Sequence, residues 1–121
     1  MNVAVIGASA DKEKWGNKAV RAYQMMGWTV FPVNDHERLI EGIEAYKSVL
    51  KIPYKINRFT LYVPAEVGVK LVSQLKKVGA KEVYINPGAE SDELIGALKK
   101  AGITPLLQCS VLTIGVDPDK L

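Results

Sequence analysis

Gly7-Ala8-Ser9 ends an apolar run, Val3-Ala4-Val5-Ile6, and is followed by Lys14, Trp15, Gly16, Asn17 and Lys18. A glycine frees the chain to turn tightly, and two small residues keep side chains clear of whatever the turn faces. A helix beginning near Gly16 would aim its first, unpaired amides back at that turn. Such a helix start attracts anions through hydrogen bonds and the helix dipole together. Ser9 can add a hydroxyl donor, while Lys14 and Lys18, with Arg21 one turn on, add positive charge. Cations lie unfavourably against the positive end of a helix, so several of them there point to an anion that offsets them. A solvated face explains the same lysines equally well on pattern alone. The spacing departs from the G-x-G-x-x-G of dinucleotide sites, because the middle glycine is missing and the extra residues are basic.

Other reactive residue types are scarce. His36 is the single histidine and sits in a polar loop between Asp35 and Glu37. It reads as a solvated residue rather than a general acid or base. Cys109 is the single cysteine. It reads first as a small buried hydrophobe, and second as a thiol near the mouth of a site. No His or Cys spacing suits a metal, so neither catalytic nor metal-binding residues are expected. One cysteine forms no internal disulfide, which favours a reducing, cytoplasmic setting. The net charge of +3 comes without a basic stripe or interleaved aromatics, which argues against nucleic acid. The longest charge-free run, Ala101 to Val116, is too short and too polar for a membrane span, and the N-terminus leaves no room for a signal peptide. The chain is expected to be monomeric or a homodimer.

The elements that must position these residues alternate. Asn2 to Gly7 reads as a strand buried on both faces, and Asn17 to Met26 as a helix with Ala19, Val20, Tyr23 and Met26 inward. Trp28 to Val33 forms a second strand, with Pro32 near its end. Asn34 to Gly42 reads as a loop, and Ile43 to Ile52 as a very short strand followed by a turn of helix. Phe59 to Val63 is a strand, and Pro64 opens a helix whose buried face is marked by Val67, Leu71, Leu75 and Val78. Glu82 to Asn86 is a strand, followed by a helix from Ser91 with Leu94, Ile95, Leu98 and Ala101 inward. Ile103 to Leu107 is the last strand. The 121 residues therefore predict one α/β domain, a Rossmann-like, doubly wound parallel sheet in three α/β/α layers. The expected strand order is 3-2-1-4-5-6 with a degenerate third strand. Ligands of such sheets sit outside the carboxyl ends of the strands, which selects Gly7 to Asn17, Val33 to His36, Val63 to Glu66 and Asn86 to Glu90.

Four blocks at those strand ends, "VAVIGAS" six positions before Trp15-Gly16, "GWTVFPVN", "YVPAE" and "INPGAE", resemble the small bacterial and archaeal CoA-binding domain proteins. They are also similar to the CoA-binding domain at the start of the succinyl-CoA synthetase α subunit. The resemblance runs from Val3 to about Ile114. It implies binding of coenzyme A or an acyl-CoA, with the diphosphate over Gly7-Ala8-Ser9. Carried over by position, Gly7, Ala8, Ser9 and Lys14 match the phosphate loop, and Trp15, Gly16 and Asn17 beside them are expected to join in binding. The resemblance adds Val33-Asn34, Val63-Pro64 and Asn86-Pro87-Gly88 as walls. Trp15 stands where the family often has proline, and Asp35 where a proline commonly follows, so Asp35 is expected to repel a nearby phosphate. The synthetases' phosphohistidine lies on a second domain with no counterpart here, which implies binding without ligase chemistry. Two alternatives stand beside this: an NAD-type dinucleotide site with Asp35 on the ribose, and an interaction module with a vestigial groove. Val111, Leu112 and Ile114 would either cover an edge or pack under the domain.

Overall fold

The computed structural model describes residues 1–121. Strand β1 (Asn2–Ile6) lies at the centre of a five-stranded parallel sheet. It pairs with β2 (Thr29–Val33) on one side and β5 (Arg58–Leu61) on the other, and β6 (Glu82–Ile85) and β7 (Thr104–Leu106) continue outward from β5. Because β1 is covered on both faces, it reads as an unbroken apolar run rather than an alternating one. Val3 and Val5 pack with Ala19, Val20 and Tyr23 of α1 (Trp15–Met25). Ala4 and Ile6 face the opposite layer, with Val72 and Leu75 of α2 (Ala65–Lys77) and Leu94 and Leu98 of α3 (Asp92–Lys100). Three layers result, and the Rossmann-like doubly wound order is the expected one.

The third strand is reduced further than its sequence suggests. It survives as a single parallel bridge, with the Tyr46 amide donating to the Pro32 carbonyl at 2.9 Å and the Asn34 amide to the Tyr46 carbonyl at 2.9 Å. Part of the segment read as loop is instead a small antiparallel hairpin, β3 (Leu39–Ile40) with β4 (Ile43–Glu44). Alternation is hard to see in strands of two residues, and the hairpin's turn, Glu41-Gly42, has positive φ at both positions, 50° and 75°. The very short strand and helical turn expected over Ile43 to Ile52 are β4 and a 3-10 turn at Val49–Lys51.

Two helix faces differ from expectation. In α2 the buried stripe is Gly68, Val72 and Leu75, while Val67 and Val78 are exposed. Gly68 explains the rotation: a Cβ there would stand 3.1 Å from Leu94 Cδ2, so the bare glycine lets α2 settle against α3. Met26, expected on the inner face of α1, lies beyond the helix end and is half exposed. Downstream of β7, Ser110–Thr113 form a short helix, α4; Val111 is buried against the α1 layer, Ile114 packs beside it, and Leu112 is exposed. No helix is long and apolar enough to cross a membrane.

The tightest contact joins Gly7 to Gly16. A Cβ on Gly16 would fall 2.1 Å from the Gly7 carbonyl oxygen, a backbone atom that cannot swing aside. Gly16→Ala is therefore expected to destabilise the fold by about 3 kcal/mol, at the upper end of ordinary overpacking. Gly96, exposed in mid-α3 with open space around its missing Cβ, is the control: Gly96→Ala should stabilise by about 0.5 to 1 kcal/mol. Urea unfolding of the two variants measures both signs.

Candidate functional site

A cleft of about 510 Å³ opens over the carboxyl ends of β1, β5 and β6. The turn after β1 supplies Gly7 to one wall, and the start of α1 supplies Lys14, Trp15 and Gly16. The chain leaving β5 gives Leu61, Tyr62, Val63 and Pro64, and the turn after β6 gives Asn86 to Ala89, with Cys109 at the far side. Gly7 adopts φ 91°, and a Cβ added there would stand 2.6 Å from the Tyr62 carbonyl oxygen, so only glycine fits. The turn and the β5 exit are thus in backbone contact.

Unpaired backbone donors gather at this end. The amides of Ala8, Ser9, Ala10, Trp15 and Gly16 donate to no acceptor within the protein. Ala8 and Gly16 are buried, where an unpaired donor is costly unless something else accepts from it. Lys14 stands at the N-cap of α1, and its side chain is the cation of the cleft lining. The Lys18 ammonium lies 4.8 Å over the Trp15 ring.

Among the residues predicted for the site, Gly7, Lys14, Trp15, Gly16, Val63, Pro64, Asn86, Pro87 and Gly88 meet around the cleft. Ala8, Ser9, Asn17, Val33 and Asn34 do not line it. Several of these hold the loop instead. The Asn34 side chain donates to the Ala8 carbonyl at 2.8 Å and accepts from the His36 and Glu37 amides. Asn17, fully buried, donates from Nδ2 to the Ser9 carbonyl at 2.9 Å and to Glu41 Oε2 at 3.0 Å, and accepts from Arg21 Nε at 2.8 Å. Arg21 also donates to the Lys12 carbonyl at 3.1 Å, so it faces the loop's back rather than the cleft. Asn86 is equally engaged: it donates to Thr60 Oγ1 and the Leu61 carbonyl, and accepts from the Ser110 amide.

Leu61, Tyr62 and Ala89 are lining residues that sequence reasoning missed. The strand ends at Leu61 rather than at Val63, so Leu61 is a strand-end residue and Tyr62 lies just beyond it, at the cleft. Ala89 lay within the segment chosen by the strand-end rule and carried no chemistry to mark it. Burial raises the Tyr62 hydroxyl far above its ordinary range, so it stays a neutral phenol. Asp35 and His36 are outside the cleft, exposed, 3.5 Å apart, in a separate depression with Arg38, Glu44 and Lys47.

The family model described as "CoA binding domain" matches residues 1–115. The chain is 37% identical over 86 residues to the α subunit of an ADP-forming acetate–CoA ligase II from Pyrococcus furiosus, a match covering 69% of this chain and 18% of that one. It is 32% identical over 111 residues to an ADP-forming acetate–CoA ligase I from Archaeoglobus fulgidus, covering 84% of this chain and 16% of that one. A conserved hypothetical protein from Pyrococcus furiosus superposes with a TM-score of 0.87 at 32% identity, over 93% of this chain and 97% of that one. The chain spans less than a fifth of the length of the curated relatives it matches.

Two measurements test the site's framework. Asn86→Ala leaves the Thr60 hydroxyl, the Leu61 carbonyl and the Ser110 amide unpaired in fully buried positions. A loss of about 3 kcal/mol in urea unfolding is expected. Glu41 is held below its ordinary value of 4.5, first by the Asn17 hydrogen bond, with burial opposing and Lys12 and Arg21 assisting. Folding lowers this value, so the stabilisation is complete above the unfolded value and is lost as pH falls through the folded one. The stability gap between the parent and Glu41→Gln should therefore shrink as pH is lowered from about 6 to about 3.

Proposed function

The chain belongs to the CoA-binding domain family, and on that premise we propose that it binds coenzyme A or an acyl-CoA without transforming it. The diphosphate sits at the Gly7-Ala8-Ser9 turn and the N-terminus of α1. One observation carries the reading: a set of unpaired backbone amides beside Lys14, two of them on buried residues, at a turn where a Cβ on either glycine would strike backbone. That arrangement suits a diphosphate, whose several oxygens accept from successive amides and whose charge is met by the helix dipole and one lysine. The apolar part of the cleft, with Trp15, Val63, Pro64 and Ala89, suits the pantetheine arm, which carries few charges. The ligase names of the curated relatives support CoA as the ligand class.

Binding alone is the proposed role. The side chains in the cleft lining that can exchange a proton are Lys14, Tyr62 and Cys109. Tyr62 is held protonated by burial, and the single histidine lies outside the cleft. A cytoplasmic setting remains part of the proposal, since CoA compounds are the ligands.

Calorimetry with CoA, CoA lacking its 3′-phosphate, and NAD tests this directly. CoA should bind, and Lys14→Ala should weaken it about tenfold, the equivalent of one charge-assisted hydrogen bond of about 1.4 kcal/mol. Trp15 lines the cleft while Trp28 packs on Tyr23 and Arg58 elsewhere, so the emission change on binding should vanish in Trp15→Phe. Tighter binding of NAD than of CoA would replace this reading with a dinucleotide site. Binding of neither would leave an interaction module.

A further inference from the structure

We propose that Glu41, outside the cleft, is a positioning residue that fixes the anion loop through Asn17. The inference rests on the reading of that loop as a diphosphate site. Glu41 occupies the first central position of the β3–β4 turn at φ 50°, and no other non-glycine residue in the chain has positive φ. Glycine or asparagine would fit there with less strain. A strained residue persists where its side chain does something the alternatives cannot.

Here the carboxylate reaches the back of the loop. Oε2 accepts from Asn17 Nδ2 at 3.0 Å, and Oε1 lies 3.5 Å from the Lys12 ammonium. The Glu41 side chain is only 17% exposed. Asn17 Nδ2 has two hydrogens, and with one held by Glu41 the other points at the Ser9 carbonyl. Arg21 on Oδ1 prevents the amide from reversing. Arg21 in turn holds the Lys12 carbonyl, and Asn34 holds the Ala8 carbonyl. The carbonyls of Ala8, Ser9 and Lys12 are all engaged by side-chain donors. The amides of Ala8, Ser9 and Ala10 are left free to serve an anion. Gathering carbonyls on one side of a loop is how successive amides become a concave anion site. Glu41 is the member of this set that comes from the hairpin, so it ties β3–β4 to the loop.

Two variants separate positioning from plain structural support. Glu41→Gly relieves the backbone strain but removes the acceptor, whereas Glu41→Gln keeps an acceptor for Asn17 and loses the charge. Backbone order parameters at Ala8 to Asp11, measured by NMR without any ligand, should fall in Glu41→Gly and return most of the way in Glu41→Gln. The unfolding temperature of Glu41→Gly should stay close to the parent's, while its affinity for CoA falls about tenfold. Unchanged order parameters in Glu41→Gly overturn the proposal, as does equal loosening in both variants. Loosening with unchanged CoA affinity also overturns it. Failure of the parent to bind CoA counts against the functional reading instead, and the ligand-free order parameters then decide the role of Glu41 by themselves.

Discussion

Three backbone segments meet at Gly7 and Gly16, at distances that no side chain allows. The turn after β1 touches the exit of β5 on one side and the first turn of α1 on the other, and a Cβ on either glycine would strike a carbonyl oxygen. This approach determines where α1 begins. From there its inner face follows at helical spacing, with Ala19, Val20 and Tyr23 seated on Val3 and Val5. The same approach leaves the first amides of α1 unpaired at the cleft. The packing of α1 and the freedom of its first amides therefore share one cause, and a change at either glycine acts on both.

Around that contact, asparagines hold the segments in place. Asn34 and Asn86 tie backbone groups from separate segments, and Asn17 ties the Ser9 carbonyl to the side chains of Glu41 and Arg21. A primary amide suits the task because it combines two donors with an acceptor on one short, rigid group. Polar residues at strand ends invite a reading as ligand contacts. Here such side chains are engaged by the protein itself, in the cleft lining at Asn86 and behind it at Asn17 and Asn34.

The sheet's outer strands carry a second economy. Both β2 and β7 are edge strands, and each contains a proline. The Pro32 carbonyl accepts from Tyr46 on the outer side, so the missing N–H of Pro32 also faces outward. The Thr104 amide donates to Lys81, so the next residue, Pro105, presents its missing N–H away from β6. Neither proline removes a hydrogen bond from the five-stranded sheet, and each leaves its edge short of a donor for pairing with another chain.

The order of the larger elements, the parallel sheet and its strand order were legible in the sequence alone. Those depend on local patterns: the apolar run of β1, helical spacing in α1 and α3, and a glycine at the strand end. Residues brought together by distant segments were not legible. The inward face of α2 was set by the fit of Gly68 against Leu94, 26 positions away in sequence, rather than by the α2 pattern itself. Whether Asn17, Asn34 and Asn86 face a ligand or the protein depended on where Ser9, Ala8 and Ser110 stand. Nothing in the sequence distinguishes Glu41 from any other loop glutamate, because its partner lies 24 residues earlier, at the foot of α1. Periodicity reports which side of an element is apolar, whereas a buried hydrogen bond needs both partners in place, and only the folded chain supplies the second.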